Sequence, residues 1–207
     1  MPTWLYGTPS SDCAEVAGAA GGLALASSST TSSTADDGRA TTMSIYKVRV
    51  SRLFDRLDTN RDGVLSPDDL RPTANGPSPA QVLVTGFLKA GDSNTDGRMT
   101  RDELLSHVDR AITGRSVGTL PPYLHDFADT VFRGMDTDGN GKVGKDEFAQ
   151  YLKSGNVIDP GATDEFAHLD RDGDGSLTLD DLRAATHHFF TALNDVPQHW
   201  LHAAVSA

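Results

Sequence analysis

The sequence predicts an all-α fold: four helix–loop–helix units in two paired lobes, packed into one compact unit, with short β-ribbons between paired loops. Two observations predict it. A 12-residue loop rich in Asp and Gly recurs four times, each copy flanked by apolar residues at helical spacing. The copies start at Asp58, Asp92, Asp136 and Asp170, separations of 34, 44 and 34 residues. Equal outer spacings around a longer middle one imply two pairs, 43–113 and 114–207. The divide falls near Thr113–Pro122, where Gly114, Gly118, Pro121 and Pro122 cluster.

Residues 1–42 stand apart from this pattern. Ser and Thr supply 14 of them, Ala 8 and Gly 5. So few groups worth burying cannot offset the entropy of ordering, so the segment is expected to be disordered. Ala24-Leu25-Ala26 looks like a signal-peptidase site, yet no Lys or Arg precedes it, and Asp12 and Glu15 sit where a positive region belongs. A true start at Met43 is the competing reading, because the periodic pattern begins within two residues of it.

The helices follow in order. Val50, Leu53, Phe54 and Leu57 mark one face before the first loop, and Val84, Phe87 and Leu88 before the second. Ala128, Val131, Phe132 and Met135 lead into the third loop, and a thinner set, Ala162, Phe166 and Leu169, into the fourth. After the loops come Leu104/Leu105/Val108, Phe148/Tyr151/Leu152 and Leu182/Ala185/Phe189. The first exiting helix is expected to be short, because Pro72, Pro77 and Pro79 follow closely. Position 8 of every loop is apolar (Leu65, Met99, Val143, Leu177), the place for a short strand pairing with the partner loop.

Charge gives the loops their chemistry. The 207 residues hold 29 acids against 18 bases, a net charge of −11, which argues against nucleic acid and anionic membranes as partners. A single cysteine, Cys13, allows no internal disulfide and points to a reducing cytoplasm. The four loops hold 17 of the 29 acids. They read DTNRDGVLSPDD, DSNTDGRMTRDE, DTDGNGKVGKDE and DRDGDGSLTLDD, with oxygen-bearing side chains at positions 1, 3, 5 and 12 and Gly at 6. Calcium takes six to eight oxygens at about 2.3–2.6 Å, and alternate residues of a curling loop converge on one centre. The expected ligands are Asp58, Asn60, Asp62 and Asp69; Asp92, Asn94, Asp96 and Glu103; Asp136, Asp138, Asn140 and Glu147; and Asp170, Asp172, Asp174 and Asp181. Val64, Arg98, Lys142 and Ser176 at position 7 add backbone carbonyls, which makes their side chains irrelevant to ligation.

Up to four Ca2+ ions are therefore expected, with Mg2+ as competitor. Glu103 and Glu147 reach around with both oxygens, so loops 2 and 3 should prefer calcium most. Asp69 and Asp181 are a methylene shorter, which favours magnesium at loops 1 and 4. Loop 1, with Pro67 at position 10, should be the most magnesium-tolerant. A fourth ligand carboxylate in loop 4 partly offsets its shorter Asp.

Other signals are weaker. Gly139, Gly141 and Gly144 spell G-x-G-x-x-G, but inside the third loop rather than after a strand. His187, His188, His199 and His202 crowd the C-terminus, where a solvated helix face and tail is expected. No nucleophile–base arrangement is legible, so no catalytic residue is assigned and no enzyme is expected.

These loops are identified as members of the EF-hand superfamily. Residues 43–207 resemble the sarcoplasmic calcium-binding proteins and bacterial proteins of the calerythrin type, in length, in the long middle linker and in the tail Asn194-Asp195-x-Pro197-x-x-Trp200-Leu201. The Arg-rich, Lys-poor composition fits a high-GC bacterium. The resemblance implies a monomeric intracellular calcium buffer or transporter, as does the lack of the Met-rich surfaces that sensors use. The alternative is a calcium sensor that regulates a protein partner. A ligand-carrying relative of the photoproteins fits less well, because Trp200 is the single Trp beyond residue 42.

Overall fold

Helix α1 (Asp37–Leu57) begins six residues before Met43. The computed structural model describes residues 37–207 apart from 72, 74, 75, 160, 162, 163, 193, 195–197 and 207, and side chains from residue 45 except 46. The segment 1–36 that was expected to be disordered lies outside the described residues. For 37–42 that expectation is corrected. No proline interrupts the run, so nothing in it bars a helix.

The remaining described strands and α-helices are β1 (Val64–Leu65), α2 (Pro79–Gly91), β2 (Met99–Thr100), α3 (Arg101–Ala111), α4 (Pro122–Met135), α5 (Lys145–Ser154), α6 (Glu165–Leu169), α7 (Leu179–Thr191) and α8 (His199–Ser206). After the first loop the chain makes only a three-residue 3-10 turn, Pro67–Asp69, as the nearby prolines foretold. Pro79 and Pro122 sit in the first turns of α2 and α4, where a missing N–H costs nothing. Helix α6 has five residues, matching its thin apolar signal; Ala162 lies outside the described residues.

Both expected pairings form. β1 and β2 are antiparallel with Leu65 opposite Met99, and Val143 pairs with Leu177 through N–H···O bonds of 2.9 and 2.8 Å. Position 8 thus meets position 8 in each lobe. Helices α2 and α4 pack together, as do α4 and α7, so the two pairs share one hydrophobic core. Phe87 of the first pair meets Phe190 of the second edge-to-face at 6.4 Å between ring centres.

Helix α8 lies against α5, α2 and α1. Its Trp200 is buried 6.2 Å from the Phe127 ring. A Cβ on Gly155 would meet the Ala203 backbone at 2.3 Å, so only glycine lets α8 approach this closely. Arg49, buried and lying over Phe189, donates to the carbonyls of Ala192 and Asn194 and so fixes the chain leading into α8. Asp195 and Pro197 of the tail motif lie outside the described residues.

The solvated-histidine expectation fails at His199 and His202, which are half-buried. His199 lies 3.5 Å from Glu165 and 3.3 Å from Asp159. Glu165 is buried and accepts from the first amides of α8 through Trp200 N–H at 3.2 Å. Burial pushes its carboxyl up to about 7, against the opposing pull of that amide and of His199. Periodicity cannot show such a contact, because its partners lie 34 residues apart in the chain.

Candidate metal centres

Each loop is folded by its own backbone amides. The Gly at position 6 has φ between +77 and +85 and donates its N–H to one oxygen of the position-1 Asp at 2.9–3.0 Å. The N–H of position 5 donates to the position-3 side chain: Asn60 at 2.9 Å, Asn94 at 3.0 Å, Asp138 at 3.0 Å and Asp172 at 3.2 Å. The N–H of position 7 donates to position 5: Asp62 at 3.1 Å, Asp96 at 2.8 Å, Asn140 at 2.7 Å and Asp174 at 2.8 Å. These bonds turn the acceptors of positions 1, 3 and 5 inward along the curl. Position 4 is left-handed in all four loops. Gly139 and Gly173 adopt this freely, whereas Arg61 and Thr95 do so at φ +60 and +58, which costs about 1 kcal/mol each.

Position 12 has a double duty that the sequence only half revealed. It is also the third residue of the exiting helix, so one carboxylate oxygen accepts from the N–H of position 9 and caps that helix. Ser66 N–H binds Asp69, Thr100 N–H binds Glu103, Gly144 N–H binds Glu147 and Thr178 N–H binds Asp181, all at 2.9 Å. In three loops the other oxygen reaches back to position 2: Asp69 to Thr59 N–H at 2.9 Å, Glu103 to the Ser93 hydroxyl at 2.9 Å, and Glu147 to Thr137 N–H at 2.9 Å. The amides at Thr100 and Gly144 hold Glu103 and Glu147 below the usual carboxylate range. Asp69 therefore closes loop 1 despite its shorter side chain. In loop 4, Asp181 also takes the Thr178 hydroxyl at 2.6 Å, so its two bonds here both come from the helix cap.

Carboxylate oxygens of Asp136, Asp138 and Glu147 lie within 4.8 Å of one another in loop 3, as do those of Asp170, Asp172 and Asp174 in loop 4. A set of hard oxygens this close is suited to a hard divalent cation such as calcium. Asp181 is outside the loop 4 set.

The side chains at position 7 are not idle. Arg98 Nη2 of loop 2 lies 3.3 Å from Asp62 of loop 1, and Lys142 Nζ of loop 3 lies 2.9 Å from Asp174 of loop 4. In each lobe a cation at position 7 crosses the paired strands to the position-5 carboxylate of its partner loop. The Ser176 hydroxyl first, and Lys142 after it, hold Asp174 down to about 2. Sequence reasoning missed this because it treated each loop alone; a cation at position 7 opposite an Asp at position 5 was the available signal. Lys142→Ala should tighten calcium at loop 4 by about three- to tenfold, since it removes a like charge near the ion from a screened surface site. Calcium titrations of wild type and variant check this; an unchanged or weaker loop 4 would refute it.

Comparison with known proteins agrees with this geometry. Family models match at residues 95–155 (EF-hand domain pair), 163–185 (EF hand) and 22–106 (Secreted protein acidic and rich in cysteine Ca binding region). The chain belongs to the EF-hand superfamily. As an EF-hand calcium-binding protein it is similar to calerythrin of Saccharopolyspora erythraea, with 24% identity over 75% of this chain and 97% of that one. It is 31% identical to Calcium-binding protein LPS1-beta of Lytechinus pictus over 61% of this chain. It spans only 49% and 37% of the lengths of LPS1-beta and LPS1-alpha of that species. The fold is similar to that of a sarcoplasmic calcium-binding protein from amphioxus, with a TM-score of 0.58 and 20% identity over 76% of this chain and 96% of that one. Among the described residues no helix is long and apolar enough to cross a membrane.

Proposed function

We infer that this EF-hand protein is a non-enzymatic, monomeric calcium buffer of the cytoplasm, with four sites built on the sixteen side chains and four position-7 carbonyls named above. The observation that carries the reading is the burial of Met99 and Met135. Both methionines of the hands are wholly inside the core, so no Met-lined groove faces solvent there. The exposed large apolar side chains among the described residues are Val48 and Ile158, too few for a target-helix groove. Similarity to calerythrin and to a sarcoplasmic calcium-binding protein supports the same reading.

The deciding experiment measures binding of a dye for apolar surface with and without calcium at physiological magnesium. A buffer gives no calcium-dependent rise. A large rise would favour the second reading, a sensor whose short α8 lifts from the core to admit a protein partner. That reading draws on α8 itself, a helix of only eight residues seated on the core.

Magnesium should compete best at loops 1 and 4, whose position 12 is Asp. The geometry adds a distinction: Asp69 already reaches position 2, whereas Asp181 does not. Asp181→Glu should therefore raise the calcium-over-magnesium preference of its loop more than Asp69→Glu does. Parallel titrations with both ions test this, and equal ratios in the two variants would count against it.

A further inference from the structure

The broken exit of the first hand leaves a cavity of about 530 Å3 beside loop 1. Where the other hands continue as helices, this one turns through three residues and runs on to α2. The end of α1, the start of α2 and Val205 and Ser206 of α8 form the remaining walls. The volume suits a small ligand.

We propose that this cavity is a binding site for a small soluble phosphate-bearing anion, tightened by calcium. Arg56, Arg61 and Arg71 all line it, and none of the three makes an ion pair among the described residues, in a chain where acids outnumber bases 29 to 18. Guanidinium groups match phosphate oxygens in pairs of charge-assisted bonds. Three carboxylates also line the cavity, Asp55, Asp58 and Asp69. Asp55 is committed to Arg101 of α3 at 2.5 Å. Asp58 and Asp69 are positions 1 and 12 of loop 1, so this part rests on reading them as calcium ligands. A calcium ion there cancels both negative walls and leaves the three arginines uncompensated. The site sits recessed between elements, and the net charge of −11 repels an anionic bilayer, so a free molecule fits better than a lipid headgroup.

The test is calorimetric titration of inorganic phosphate into the full chain at low ionic strength, once calcium-loaded and once stripped of calcium. Phosphate should bind about tenfold tighter to the loaded protein, and by reciprocity should tighten calcium at loop 1 by the same factor. Arg56→Gln combined with Arg71→Gln should weaken phosphate at least about tenfold while the calcium stoichiometry stays unchanged. Equal phosphate affinity in wild type and double variant, or no phosphate binding to a protein that still takes up calcium, would overturn the proposal. So would an affinity indifferent to calcium. Failure to bind calcium at all would instead overturn the buffer reading. Co-sedimentation with phosphatidylcholine vesicles containing phosphatidic acid, without binding of free phosphate, would overturn the choice of a soluble ligand.

Discussion

Stripping calcium should lower the melting temperature by about 20–40 °C. Each site occupied at 100 times its dissociation constant stabilises the folded state by about 2.7 kcal/mol, and four sites by about 11. For a chain of this size each kcal/mol moves the midpoint by about 2–4 °C. The reason for so large a linkage is where the charge resides. Residues 1–42 carry four acids and one arginine, which leaves a net charge of −8 on the remainder, equal and opposite to that of four divalent ions. Without metal, each loop keeps three or four carboxylates at its ligand positions, three of them within 4.8 Å of one another in loop 3 and three in loop 4, and Asp58, Asp69 and Asp181 are buried besides. Their repulsion is relieved by unfolding or by calcium. Differential scanning calorimetry with calcium and with chelator gives the shift directly; coincident midpoints would exclude metal binding as a structural term.

The loops were legible because their geometry is local. Positions 1, 3, 5 and 6 of each loop are joined by bonds that span two to five residues, so the sequence repeat and the folded curl carry the same information. The position-8 pairing was legible for a related reason: four apolar residues at one loop position have nowhere else to bury. What the sequence hid depends on residues that meet only after packing. Asp62 lies 36 residues from Arg98, and Asp174 lies 32 from Lys142. The early start of α1 was hidden by composition, since a Ser/Thr/Ala-rich stretch reads as unstructured until a helix propagates into it. The cavity beside loop 1 was foreshadowed by Pro72 and Pro77, but its arginine lining draws on α1, loop 1 and the segment after the 3-10 turn.

Trp200→Ala should cost about 3–5 kcal/mol of stability, the range for truncating a large buried aromatic. Trp200 is 2% exposed and rests on Phe127 of α4. The loss should exceed a simple cavity, because α8 has eight residues and cannot hold its helical form without tertiary contacts. Its other anchors are modest: Glu165 at its first amides, the Gly155–Ala203 approach, and the buried faces of Leu201 and Val205. With the indole gone, α8 should detach and uncover the core surface formed by α5, α2 and α1, so the variant should bind an apolar-surface dye even when loaded with calcium. Trp200→Phe separates lost volume from lost anchoring, because a phenyl ring keeps much of the apolar contact and should hold α8 in place. Chemical denaturation of both variants, read beside dye binding, decides the matter. A loss below about 1 kcal/mol in Trp200→Ala, with no rise in dye binding, would mean that α8 is held by its polar contacts and that the indole merely fills space. If α8 detaches in the alanine variant while calcium leaves it seated in the wild type, the helix is a fixed part of the core, as a buffer requires and a sensor does not.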